Sequence, residues 1–146
     1  MKVVVDASPI VAAADRRDTA HRLAISVMSD EALDLLIPDP VIAEVDYFLR
    51  DRLSSAVARE FLEDIREEAY RRVILDPSLF GRAVEYDRRH ADLDLGIADA
   101  SVMAVAEAER ASILTFDFAD FRATQPMRGG FWRLLIDEPT FRRFTR

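Results

Sequence analysis

An α/β fold, with a mostly parallel sheet covered by helices, is predicted for this 146-residue chain by three observations. Short runs rich in Val, Ile and Leu alternate with longer helical patterns along the whole length. The first run, KVVVD (2–6), is uniformly apolar rather than alternating, as in a strand buried on both faces. Two cap-then-proline pairs, Ser8–Pro9 and Asp39–Pro40, start helices directly after predicted strands.

Taken in order, residues 2–6 form a strand, and Ser8 caps a helix that begins at Pro9. Thr19 caps a second helix ending near Met28, and LDLLIP (33–38) is the second strand. The helix after Asp39 places Val41, Val45, Phe48 and Leu49 on one stripe. Ser54 caps the next, with Val57, Phe61 and Ile65 on its apolar face. YRRVIL (70–75) reads as a strand broken by Asp76–Pro77, and a helix follows from Ser78 to about His90. After the loop ADLDLG comes a very apolar helix, 97–109, then the strand SILTF (112–116). GFWRLLI (130–136) reads as the last strand. There is no linker, repeat or low-complexity tract, so residues 1–146 are expected to form one domain.

Composition removes several chemistries. With no cysteine, thiolate metal sites and Cys nucleophiles are excluded. Lys2 is the only lysine, which removes the P-loop lysine and Schiff-base chemistry. Four glycines are too few for a Gly-rich phosphate cradle. Only His21 and His90 offer imidazoles, and both read as surface residues. The net charge of −7 argues against a non-specific nucleic-acid coat, unless bound cations invert the local field. No apolar run reaches the roughly 20 residues of a membrane span. No leader-like segment is read at the start, so a cytoplasmic location is expected.

Carboxylates remain. Asp6, Glu44, Asp99 and Asp117 each interrupt or end an apolar run: VVVDAS, PVIAEVDYFL, GIADASVMAVA and SILTFDF. Glu44 lies on or beside the apolar stripe of its helix, and Asp99 is the only charge between Gly96 and Glu107. Asp6 and Asp117 lie at or just past the ends of predicted strands, where parallel sheets place their sites. Each acid also has a plainer reading, as a turn, a cap or a helix-end charge. Asp46, Asp94 and Asp120 stand near enough in sequence to substitute for them or support them.

If the four converge, repulsion is severe. Two unit charges about 5 Å apart cost roughly 3 kcal/mol at an effective dielectric of 20. Six such pairs approach about 20 kcal/mol, more than the roughly 5–15 kcal/mol that holds a domain together. The cluster therefore persists only with protonation or bound cations. Oxygen ligands without His or Cys select Mg²⁺ or Mn²⁺ over Zn²⁺. Such ions suit metal-assisted phosphodiester hydrolysis.

Four segments together resemble the PIN-domain ribonucleases, most closely the VapC toxins of bacterial toxin–antitoxin pairs: VVVDAS, IPDPVIAEVDYFL, LGIADASVMAVAEAERASILTFDFADF and PMRGGFWRLL. The resemblance spans nearly the whole chain and implies a three-layer α/β/α PIN-like domain. It implies that Asp6, Glu44, Asp99 and Asp117 are the metal-binding and catalytic acids, with Ser8 and Thr115 as hydroxyls near the metal. Asp94 is the alternative third acid, or a supporting group. It further implies a Mg²⁺- or Mn²⁺-dependent endoribonuclease that leaves 5′-phosphate and 3′-hydroxyl ends. A homodimer and a cognate antitoxin, gripped by the helices at about 40–66, are the expected protein partners; a membrane is not.

Three rivals accompany this expectation. One is a phosphotransfer or phosphatase domain built on an acidic cluster; Asp6 lacks the second acid two residues on, and no lysine is placed to hold a phosphoryl group. Another is a catalytically silent module that uses the same fold to bind protein. The last is a ribonuclease of RNA processing outside any toxin–antitoxin pair.

Overall fold

The computed structural model describes residues 1–146. Four strands form one sheet: β1 (Lys2–Val5), β2 (Asp34–Pro38), β3 (Arg71–Val73) and β4 (Ser112–Leu114). Their order is β3-β2-β1-β4, and every neighbouring pair is parallel. Val4 pairs with Leu36 on one side and Ile113 on the other. Val3, Val4 and Val5 are all 0 % exposed, so both faces of the central strand are covered. Burying each of these valines stabilises the fold by roughly 1.5–3 kcal/mol.

Helices α1 (Ala7–Ala14) and α2 (His21–Met28) connect β1 to β2. Helices α3 (Asp39–Arg52) and α4 (Ser55–Arg66) connect β2 to β3. Helices α5 (Pro77–Arg89) and α6 (Gly96–Glu109) carry the chain from β3 back across the sheet to β4. The strand order therefore reverses at β1, and the crevice beyond the carboxyl ends of β1 and β4 is where such sheets place ligands. Val41, Val45 and Leu49 form the buried stripe of α3, as the periodicity predicts.

Several local expectations are corrected. Asp6, not Ser8, caps α1: its side chain accepts from the Ala7 N–H. Ser8 lies inside the helix, and its hydroxyl accepts from the Phe116 N–H at 2.9 Å. Thr19 caps nothing; α2 starts after a turn in which Asp18 accepts from the Ala20 N–H. Asp39 is the first residue of α3 rather than its cap, and it pairs with Arg72 at 2.7 Å. Ser54 does cap α4, whereas α5 begins at Pro77, with Asp76 rather than Ser78 opening it as the cap.

The segment 130–136 is not a full strand. It makes a single parallel bridge, Ile113 with Leu134, alongside β4. Gly129 and Gly130 enter it with φ of 90° and 82°, a left-handed turn, and Asp137 already caps the next helix. Two helices were not anticipated: α7 (Ala119–Ala123) and α8 (Glu138–Phe144). No helix is long and apolar enough to cross a membrane.

Candidate metal centre

Asp6 leaves β1 as it meets β4, and its backbone N–H donates to the Leu114 carbonyl at 3.0 Å. The same position makes it the cap of α1, so the local fold fixes where its carboxylate points. Oδ1 accepts from the Ala7 N–H at 2.8 Å, and Oδ2 accepts from the Thr115 hydroxyl at 2.8 Å. Thr115 Oγ1 also accepts from the Asp117 N–H at 3.0 Å and sits 3.4 Å from Ser8 Oγ. The two hydroxyls singled out in the sequence thus tie the end of β4 to the start of α1.

Glu44 comes from α3 and Asp99 from the first turn of α6. One carboxylate oxygen from each of Asp6, Glu44 and Asp99 lies within 4.8 Å of the other two. Asp117 lines the same cavity, of about 360 Å³, from its exposed rim. All four predicted acids are therefore brought together, three in a tight cluster and the fourth beside it. A larger hollow of about 1110 Å³, between the β2–β3 edge and α3–α4, holds none of the four.

The electrostatics follow from this crowding. Burial raises the Asp6 carboxyl above its ordinary value; the Thr115 and Ala7 hydrogen bonds oppose that, and the charges of Asp117 and Asp120 add to it. Burial also raises Glu44, with the charges of Asp6 and Asp117 contributing. Asp99 is pushed up to about 8, by burial first, then by the charge of Asp6, a hydrogen bond with Asp120 and the charge of Glu44. At an effective dielectric of 20, three fully ionised groups this close would cost about 10 kcal/mol, comparable to a domain's whole stability.

The donor set fits a hard divalent cation. Three carboxylates converge with no His or Cys among them. Glu44 Oε2 is buried and has no hydrogen-bond partner. An unpaired buried oxygen of this kind costs about 1–3 kcal/mol, and more when charged. A cation held by the cluster would satisfy that oxygen and relieve the repulsion together.

Two expectations need revising. Asp94 is exposed, in a left-handed turn after a short 3₁₀ segment, and does not line the cavity. It follows the break that lets α6 begin at Gly96, so the helix carries Asp99 inward and leaves Asp94 outside. Asp120, named with Asp46 and Asp94 as a substitute or support, does stand near the cluster: α7 turns it back, and its charge bears on both Asp6 and Asp99. Asp46 pairs with Arg50 at 3.0 Å, away from the cluster. His21 is held by the Ala12 carbonyl, and neither histidine lines the cavity. The cavity walls Phe48, Arg52, Phe116 and Phe141 were missed as site residues. The signal for two of them was present: Glu44, Phe48 and Arg52 recur at four-residue spacing on one helical face.

Comparison with known proteins places the chain in a family. Residues 3–125 match the family described as PIN domain. The chain is 28 % identical over 130 residues to Ribonuclease VapC26 of Mycobacterium tuberculosis, covering 88 % of this chain and 96 % of that protein. The crystal structure of M. tuberculosis VapC20, described as a sarcin-ricin loop cleaving toxin, aligns with a TM-score of 0.74 at 24 % identity, covering 83 % of this chain and 93 % of that one. VapBC2 from Rickettsia felis, bound to a DNA fragment from its promoter, aligns with a TM-score of 0.63 at 16 % identity, covering 84 % and 92 %. These two structural likenesses are of fold.

Proposed function

The chain belongs to the PIN domain family, and on that premise we propose that it is a metal-dependent endoribonuclease, the toxin of a toxin–antitoxin pair. The observation that carries the reading is the convergence of Asp6, Glu44 and Asp99 around an unpaired buried Glu44 oxygen. Similarity to a ribonuclease over nearly the whole chain supports RNA as substrate. Likeness of fold to VapBC proteins supports a cognate antitoxin as partner, and a cytoplasmic location belongs to the same proposal.

Asp6, Glu44 and Asp99 would hold the cation, Mg²⁺ or Mn²⁺, with Asp117 completing the site. When bound, such a cation stabilises charge on the phosphoryl group and the leaving oxygen and lowers the pKa of water. The chain's own groups do the positioning. Ala7 N–H and Thr115 Oγ1–H fix both oxygens of Asp6 before substrate arrives. Ser8 holds the Phe116 N–H, which keeps the β4 end, and with it Asp117, against α1. Asp120, brought near by α7, adds its negative charge to those that raise the Asp99 carboxyl. Water attacks phosphorus in line as the bond from phosphorus to O3′ breaks; the proton released by the water is balanced by the one taken up at O3′, and the products carry 5′-phosphate and 3′-hydroxyl ends.

The test is incubation of antitoxin-free protein with total RNA, with EDTA and after return of Mg²⁺ or Mn²⁺. Cleavage is expected only with the metals, at ends that a 5′-phosphate-dependent ligation captures. RNA left intact with every metal would remove the ribonuclease reading. The sarcin–ricin loop is the first defined substrate to try, given the described action of VapC20.

A further inference from the structure

The acidic cavity has one basic wall. Asp6, Asp18, Glu44, Asp99 and Asp117 line it, and Arg52 is the single lysine or arginine among its lining residues. Arg52 is the last residue of α3, two turns beyond Glu44, with Phe48 between them on the same face. Its guanidinium carbon lies 4.7 Å from the centroid of the Phe48 ring. A ring satisfies the charge of the ion only in part and leaves N–H donors for another partner.

No carboxylate takes those edges. Arg50, two residues earlier, is held by Asp46, and Arg72 by Asp39, whereas Arg52 forms no ion pair. A chain of net charge −7 that binds a polyanion needs cations placed locally, because its overall field repels the strand.

We propose that Arg52 is a substrate-binding residue: its guanidinium, braced on Phe48, grips a phosphodiester oxygen of the RNA strand next to the scissile bond. The inference rests on reading the acid cavity as a ribonuclease site. An arginine fork two turns from Glu44 would fix the register of the strand over the acids, where a general basic surface would fix only its presence.

The experiment compares wild type with Arg52→Ala, Arg52→Lys and Phe48→Leu, all in Mn²⁺. Cleavage sites are first mapped in total RNA with wild type. A dye-labelled RNA spanning one mapped site then serves for cleavage kinetics and for binding across a salt series. Arg52→Ala is expected to raise KM about tenfold, with kcat within about twofold of wild type. It should also flatten the slope of log affinity against log salt by about 0.7–1, one phosphate contact. Arg52→Lys should restore the slope and only part of the affinity; Phe48→Leu should weaken affinity at unchanged slope. A cleaving wild type whose Arg52→Ala variant keeps KM and salt slope overturns the inference and leaves the ribonuclease reading standing. So does a variant that loses only thermal stability. A wild type that cuts no RNA removes the ribonuclease reading, and this inference falls with it.

Discussion

Thr115 Oγ1 donates to Asp6 Oδ2 at 2.8 Å, joining residues 109 positions apart across the β4 and β1 ends. That bond offsets part of the burial that raises the Asp6 carboxyl. Thr115→Val keeps the shape and removes the donor, and also leaves the Asp117 N–H without its acceptor. Mn²⁺ affinity should fall about tenfold or more, as for other lost supports of metal-binding groups. Thr115→Ser should restore it. Calorimetric titration of the three proteins checks this, and unchanged affinity in the valine variant would remove the role given to Thr115.

Asp99 gives the metal-free protein a pH dependence of definite sign. Its carboxyl is pushed up to about 8 from an ordinary 3.8, so between those values the folded state binds a proton that the unfolded chain has released. Stability therefore falls as pH rises through that window. Asp6 and Glu44, also raised, act in the same direction. Glu85 and Asp137 are lowered by their hydrogen bonds, and their opposite contribution is confined to acid pH. Asp64, on α4, is raised too, by burial and the charge of Glu60, and adds to the decline from outside the cluster. Thermal melting in EDTA should show Tm declining toward pH 8, and saturating Mn²⁺ should flatten the decline.

Neutralising one acid separates stability from metal binding. Asp99→Asn should raise Tm of the metal-free protein near pH 8 by roughly 3–6 °C, because it removes a carboxyl whose ionisation is opposed by burial and by its acidic neighbours. The same variant should lose the further rise that Mn²⁺ gives the wild type. A lower Tm in EDTA would show that Asp99 is held by contacts other than repelling carboxylates.

Far from the acids, Tyr86 organises the C-terminal segment. Its hydroxyl donates to Glu107 at 2.8 Å and accepts from the Met127 N–H at 2.9 Å, while Glu107 also accepts from Arg82 and the Arg128 N–H. Tyr86→Phe leaves the Met127 N–H without this partner and should cost about 1–3 kcal/mol in denaturant unfolding. RNA cleavage per folded molecule, measured well below Tm, should stay within about twofold.

The sheet was legible because its signals are local. Three successive valines in β1 and the apolar runs at β2 and β4 announce strands covered on both faces. GFWRLLI carries the same composition yet makes one bridge, because pairing depends on where Gly129 and Gly130 aim the chain. The start of α8 carried a signal that went unread: Asp137 two residues before Pro139 repeats a cap-and-proline pattern. Within the site, Asp6, Glu44 and Asp99 stood out as charges set among apolar residues. Choosing between Asp94 and Asp120 as neighbours of Asp99 depended on how α6 and α7 begin, which no local pattern of acids states.

Glu44 tests the central claim most directly, since its Oε2 is the buried oxygen left without a partner. The measurement is calorimetric titration of Mn²⁺ into antitoxin-free wild type and into Glu44→Gln, which keeps the volume and removes the charge. Saturable binding by wild type, weakened tenfold or more in the variant, is predicted (about 1.4 kcal/mol per tenfold). Equal binding isotherms for the two proteins would contradict a cation held by these acids.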